Sequence, residues 1–189
     1  MHTSSPSNTA LLIIDMQQGF DDPVWGQRNN PNAEANVANL ISFWRREKGP
    51  VIHVQHCSLE PGSPLEAEHP GCKFKLEAAP IEGEAKFKKT VNSAFIGTNL
   101  ESHLRDNGFE NIVIVGLTTD HCVSTSTRMA GNLGFNVTLV SDATATFDRV
   151  GHNGTGYSAD EIHEIHLASL NDEFCVVRST EEVLNKFGK

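Results

Sequence analysis

The chain has 189 residues, with 24 acidic against 15 basic side chains and a formal net charge of −9. That balance argues against nucleic acid as a partner. No apolar run approaches the roughly 20 residues a membrane span needs, and the opening MHTSSPSNTA lacks the basic start and apolar core of a signal peptide, so a cytoplasmic protein is expected. The length suits one domain with a real core. Cys57, Cys72, Cys122 and Cys175 show no CxxC spacing, which suggests neither a zinc site nor a disulfide framework.

Residues 1–8 are polar and expected to be loosely attached. Ala10 to Ile14 is the first buried-strand pattern, and Asp15 ends it. In a parallel α/β sheet, sites gather beyond the carboxyl ends of strands, so an acid there is well placed for chemistry. Asp21 to Pro31 is turn-rich and carries Trp25 and Arg28, with Phe20 just before it. Asn32 to Lys48 reads as a helix with Ala33, Val37, Leu40, Ile41 and Trp44 on one side. Gly49-Pro50 stops it. Pro50 to Gln55 is a second strand. Cys57 to Gly83 has little periodicity and forms a long excursion suited to a lid or an oligomer contact. His53 and His56, three apart on a strand, point to opposite faces and with His69 make no ready metal site. Glu84 to Lys89 alternates as a strand, and Ser93 and Thr98 are helix-start residues for a short helix through Leu100 and Leu104.

Asn111 to Phe135 is the stretch around which the chain is organised. Ile112 to Val115 reads as a strand buried on both faces, and Gly116 breaks it. Thr118, Thr119 and Asp120 are N-cap residues, and Cys122 falls in the first helical turn. Val123, Met129, Ala130 and Leu133 share a helical stripe that ends at Gly134. A thiol at a helix N-terminus is expected to have a lowered pKa; a small buried apolar residue is the plainer alternative. Asn136 to Ser141 is the next strand, ended by Asp142. Turns fill Thr144 to Tyr157, and a capping box at Ser158 and Glu161 opens a helix to about Leu170. Phe174 to Arg178 and Thr180 to Phe187 are the last strand and helix. This alternation predicts a doubly wound three-layer α/β/α sandwich on a mainly parallel, six-stranded sheet.

Three segments, LLIIDMQQGF, KKTVNSAFIGTNL and VGLTTDHCVSTSTRMAGNLGFNVTLVSDATATFD, carry a resemblance that spans nearly the whole chain. The chain resembles the isochorismatase-like cysteine hydrolase superfamily, which includes nicotinamidases and N-carbamoylsarcosine amidase. The resemblance implies a catalytic triad of Asp15, Lys89 and Cys122. Lys89 is preferred to Lys88 because it lies four residues before Ser93 of the SAF motif. It also implies a non-proline cis peptide between Leu117 and Thr118, which would aim the N–H of Thr118, with that of Cys122, at one oxyanion hole. The activity implied is hydrolysis of an amide, carbamoyl or ureido C–N bond through a thioester. A homodimer or homotetramer acting on a small molecule without cofactor is the implied assembly. The stretch VIHVQHCSLEP lacks the Asp-Trp-His of nicotinamidases, which counts against nicotinamide and against a metal. Isochorismatases proper cleave a vinyl ether and lack the cysteine, so Cys122 counts against that reaction.

Phe20, Trp25, Thr119 and Phe147 are the expected substrate-binding residues, although core packing suits Phe20 and Phe147 equally. His152 lies on a loop expected to face the site. Arg28 could meet a carboxylate, but a solvated surface side chain is the plainer reading, as a surface helix position is for His121. A non-catalytic binding protein on the same fold is the competing function, and a thiol redox protein a third; the latter would want a resolving cysteine near Cys122.

Overall fold

The computed structural model describes residues 5–188. Short β-branched runs joined by amphipathic helices give strands β1 (Thr9–Ile14), β2 (Val51–His56), β3 (Ala85–Lys89), β4 (Asn111–Leu117), β5 (Asn136–Ala145) and β8 (Val176–Arg178). They form one six-stranded sheet in the order β3-β2-β1-β4-β5-β8, parallel at every pairing. Strands β6 (Arg149–Val150) and β7 (Gly156–Tyr157) form a small antiparallel ribbon outside it. The sheet is a doubly wound one, as expected. Its strand order reverses between β1 and β4, and that switch point opens a crevice at the carboxyl ends of the strands.

Burial on both faces explains the apolar runs. Leu11, Ile13, Val113 and Val115 pack toward α1 (Ala33–Arg46) and α5 (Thr180–Phe187), with Val37, Leu40, Ile41, Trp44 and Val183 in the same core. Ala10, Leu12, Ile14, Ile112 and Ile114 point the other way, into a core with Leu100 and Leu104 of α2 (Leu100–Asp106), Ala130 of α3 (Ser124–Asn132) and Leu167 and Leu170 of α4 (Ala159–Leu170). The alternation along β1 thus divides the molecule into three layers.

The capping boxes at Ser158 and Ser179 start α4 and α5 where the sequence places them. Three features differ from expectation. Asp142 does not end β5; the strand runs on to Ala145, and its register against β4 slips between Ile114 and Gly116. Carbonyls that the slip frees find side chains instead. Asn30 Nδ2 donates to Ser141 O at 3.0 Å and Thr144 O at 2.7 Å, and Asn36 Nδ2 donates to Asp142 O at 2.7 Å. The Asp142 carboxylate accepts from the backbone N–H and the hydroxyl of Thr180, tying β5 to the start of α5. On α3 the inner stripe is Ser126, Thr127 and Ala130, while Met129 and Leu133 stay partly exposed, because the helix lies close enough for Ser126 Oγ to accept from Ala94 N at 3.0 Å. The last strand is shorter, Val176–Arg178 rather than from Phe174.

The expectation of a loose N-terminal tail falls partly on residues 1–4, outside the described residues; Pro6–Asn8 form a 3-10 turn closed by a capping box at Ser5. The 57–83 excursion is pinned rather than free. Gln17 Nε2 and Gln55 Nε2 both donate to Cys72 O, Arg45 donates to Ala79 O, and Leu65 and Ala78 enter the core. Among the described residues, no helix is long and apolar enough to cross a membrane.

Candidate active site

Three strand ends deliver the site. The chain leaves β1 by a sharp turn at Asp15, whose φ of 50° lies in the left-handed region that Asp tolerates better than most residues. Lys89 is the last residue of β3. After β4 the chain approaches β1 closely at Gly116, whose φ is 124° and where a Cβ would stand 1.9 Å from Ile14 O, so only glycine fits. The Leu117–Thr118 peptide is cis, at the bond the sequence motif indicated. A π-helical turn, Thr119–Val123, then carries Cys122 before α3 begins at Ser124. This wider turn replaces the expected cap: no side chain caps it from Thr118, and Asp120 turns away to other partners.

Asp15, Lys89 and Cys122 meet. Lys89 Nζ lies 2.6 Å from Asp15 Oδ2 and 3.2 Å from Cys122 Sγ. Lys89 and Asp15 are fully buried at the side chain, and Cys122 is 7 % exposed. Burial raises the Asp15 carboxyl above its ordinary range, and the Lys89 charge pulls it only part of the way back. For Cys122 the sequence expectation of a lowered pKa is reversed. Burial first and the Asp15 charge second push the thiol up to about 12, against the opposing pull of Lys89. The thiol therefore holds its proton at rest, beside a carboxylate whose basicity is raised.

His56 joins this group, a placement the sequence did not reveal. Its Nδ1 lies 3.1 Å from Lys89 Nζ. The three histidines of that region separate cleanly. His53 points to the opposite face and pairs with Glu84 at 2.8 Å, and His69 Nδ1 accepts from Gly71 N. Asp15, His56 and Cys122 could together offer three metal-ligand atoms. The Lys89 ammonium, however, lies within hydrogen-bond distance of all three residues and already supplies a cation there.

A cavity of about 440 Å³ opens onto Cys122. Phe20 and Trp25 line one wall, and Phe147 stacks behind them at 6.2 and 5.9 Å without reaching the cavity. Ser58, Leu59, Glu60, Ser63 and Leu65 of the excursion form another wall. Thr118, His121, Asn92 and Arg149 complete the rim. Asn92 Oδ1 lies 3.7 Å from Cys122 Sγ, so the SAF segment supplies a neighbour of the thiol as well as Lys89. Thr119 does not line the cavity; its side chain is fully buried and its hydroxyl bonds His163 Nδ1 at 2.8 Å. His152 is exposed and apart from the cavity. Arg28 forms a two-pronged pair with Glu34 at 2.6 and 2.7 Å and is not presented to the cavity.

Asp120 anchors the cysteine turn. It accepts from Thr146 Oγ1 at 2.5 Å and Arg149 Nε at 2.7 Å. Burial alone would raise its carboxyl, but these donors and the nearby His121 hold it down to about 2. The remaining thiols are buried; Cys57 and Cys72 face each other at 3.8 Å, and no other cysteine is paired with Cys122 among the described residues.

A buried Asp, Lys and Cys thus gather at the switch point of a doubly wound α/β sheet. Residues 9–182 match the isochorismatase domain, and the chain belongs to the isochorismatase family, a family of hydrolases. It is 48% identical to YrdC, an isochorismatase family protein of Bacillus subtilis, over 95% of this chain and 96% of that one. It is also similar to a streptothricin hydrolase of Streptomyces noursei, 33% identical over 74% of this chain and 55% of the relative. A solved isochorismatase-family structure from Chromobacterium violaceum superposes with a TM-score of 0.94 at 45% identity, over 100% of this chain and 97% of that chain.

Proposed function

We propose that the protein hydrolyses a small-molecule C–N bond, in an amide, carbamoyl or ureido group, through a thioester on Cys122. The observation that carries this reading is the contact of Lys89 Nζ with both Asp15 and Cys122 Sγ at the wall of a closed-in cavity. In the first half-reaction the thiol proton passes to Asp15 as Sγ bonds the substrate carbonyl carbon. Lys89 compensates the negative charge that develops on sulfur. The N–H groups of Thr118 and Cys122 form the oxyanion hole, an effect worth about 3 kcal/mol per donor. Asp15 then returns the proton to nitrogen, the C–N bond breaks, and ammonia or an amine departs. In the second half-reaction Asp15 takes a proton from water, the resulting hydroxide attacks the thioester carbonyl, the C–S bond breaks, and Asp15 returns the proton to sulfur as the acid leaves.

Phe20 and Trp25, backed by Phe147, offer a flat apolar wall suited to a planar or apolar acyl group. The relative named streptothricin hydrolase supports hydrolysis of a small molecule on this scaffold. The test is ammonia release from a panel of amides, ureido acids and carbamoyl compounds, wild type beside Cys122→Ala. A turnover that falls roughly 10³-fold or more in the variant is expected. Hydrolysis of a confirmed substrate at full rate by Cys122→Ala would sink the mechanism.

A further inference from the structure

An ammonium has three N–H donors and no acceptor. Three acceptors lie within reach of Lys89 Nζ: Asp15 Oδ2 at 2.6 Å, His56 Nδ1 at 3.1 Å and Cys122 Sγ at 3.2 Å. Each proton thus has one partner, and the rotation of the ammonium is fully specified. Because Lys89 can only donate, His56 Nδ1 must accept, which leaves the imidazole neutral with its proton on Nε2. The surroundings agree. Burial and then the Lys89 charge lower the His56 pKa, opposed by the charges of Asp15 and Glu60, which also face it.

The backbone of His56 is fixed as firmly as its ring. It pairs in register with Lys89 across β2 and β3. The fully buried Gln17 brackets it, with Oε1 accepting from His56 N at 2.8 Å and Nε2 donating to His56 O at 2.9 Å. Gln17 sits two residues beyond Asp15, so the segment that carries the carboxylate also clamps the strand end that carries the imidazole.

We propose that His56 is a positioning residue whose Nδ1 holds the Lys89 ammonium in line with Cys122 Sγ. Without that third acceptor, the ammonium is free to swing toward Asp15, its strongest partner, and away from the sulfur. The thiolate would then lose its nearest cation. This inference rests on the proposed role of Cys122 as nucleophile, but its test requires no turnover.

The test is the rate of Cys122 alkylation by iodoacetamide, read by peptide mass spectrometry between about pH 7 and 9.5, where the rate follows the thiolate fraction. Five proteins are compared: wild type, His56→Asn, His56→Leu, Lys89→Met and the double variant that carries His56→Leu in the Lys89→Met background. His56→Leu is expected to slow alkylation about tenfold at a given pH, a shift of about one unit in the thiol. His56→Asn, whose Oδ1 can take the place of Nδ1, should keep the wild-type profile. In the Lys89→Met background, His56→Leu should add nothing. Equal slowing by Asn and Leu, a wild-type profile for Leu, or a loss that persists without Lys89 would each overturn the proposal. If His56→Leu does not fold by circular dichroism, His56→Phe fills the ring's place without an acceptor and takes over its part. Absence of ammonia release from every amide tested would count against the hydrolase reading and leave this result standing.

Discussion

At the scale of single residues, the site is an exercise in where charge is allowed to sit. A carboxyl, an ammonium, an imidazole and a thiol share a volume from which water is nearly excluded, and burial, ahead of any neighbouring charge, shifts the carboxyl, the imidazole and the thiol. Asp120 shows the opposite strategy one turn away. Its carboxyl, held down to about 2, is charged at every working pH, and it ties the cysteine turn to Thr146 and Arg149. Because its folded pKa lies below the unfolded value near 3.9, it contributes stability above about pH 4 that is lost as pH falls toward 2. Asp120→Asn should cost about 2 kcal/mol at pH 7 and much less at pH 2.5, read from urea unfolding at the two pH values. An equal loss at both would show that the charge is not what anchors the turn.

At the scale of elements, the close approach of β4 to β1 decides the geometry. Gly116 is paired beside Ile14, one residue before Asp15 and six before Cys122, so this contact sets how far Asp15 stands from Cys122. An added Cβ would overlap Ile14 O and demand a φ that L residues avoid. Gly116→Ala is expected to destabilise by about 4 kcal/mol or more, with the melting temperature as the measurement. A melting temperature within a few degrees of wild type would mean that the two strands can part without harm to the fold.

At the scale of the molecule, the Asp15–Lys89 pair costs the fold something that the site needs. Both side chains are fully buried, and burial holds the Asp15 carboxyl above its ordinary range even with Lys89 beside it. Its raised folded pKa means that the native state binds more protons than the unfolded chain above about pH 4, so this group's contribution falls as pH rises. Lys89→Met removes the pull that lowers the Asp15 pKa and should steepen that decline. At pH 8, Lys89→Met and Asp15→Asn should each lose about 3 kcal/mol, since each strands its partner in the interior. The double variant should recover about 2 kcal/mol relative to the sum. Additive losses, or a Lys89→Met protein as stable at pH 8 as at pH 5, would refute the pairing.

The sequence alone determined the layered architecture, because apolar runs of strand length alternating with amphipathic helices leave few ways to bury both faces of a sheet. Those runs also marked the strand end at Asp15 and the strand that leads to Cys122, the family resemblance singled out Lys89, and the Ser158–Glu161 capping box marked the start of α4. Tertiary structure alone decided what surrounds those groups. That His56 meets Lys89 depends on the β2–β3 register, which sets the two residues side by side, while His53 turns to Glu84. That β5 runs past Asp142 depends on Asn30 and Asn36, more than a hundred residues away, taking its freed carbonyls. The direction of the Cys122 shift was likewise beyond local reading. A helix N-terminus argues for a thiolate, but burial and the Asp15 charge outweigh it, and both come from parts of the chain that only folding brings together.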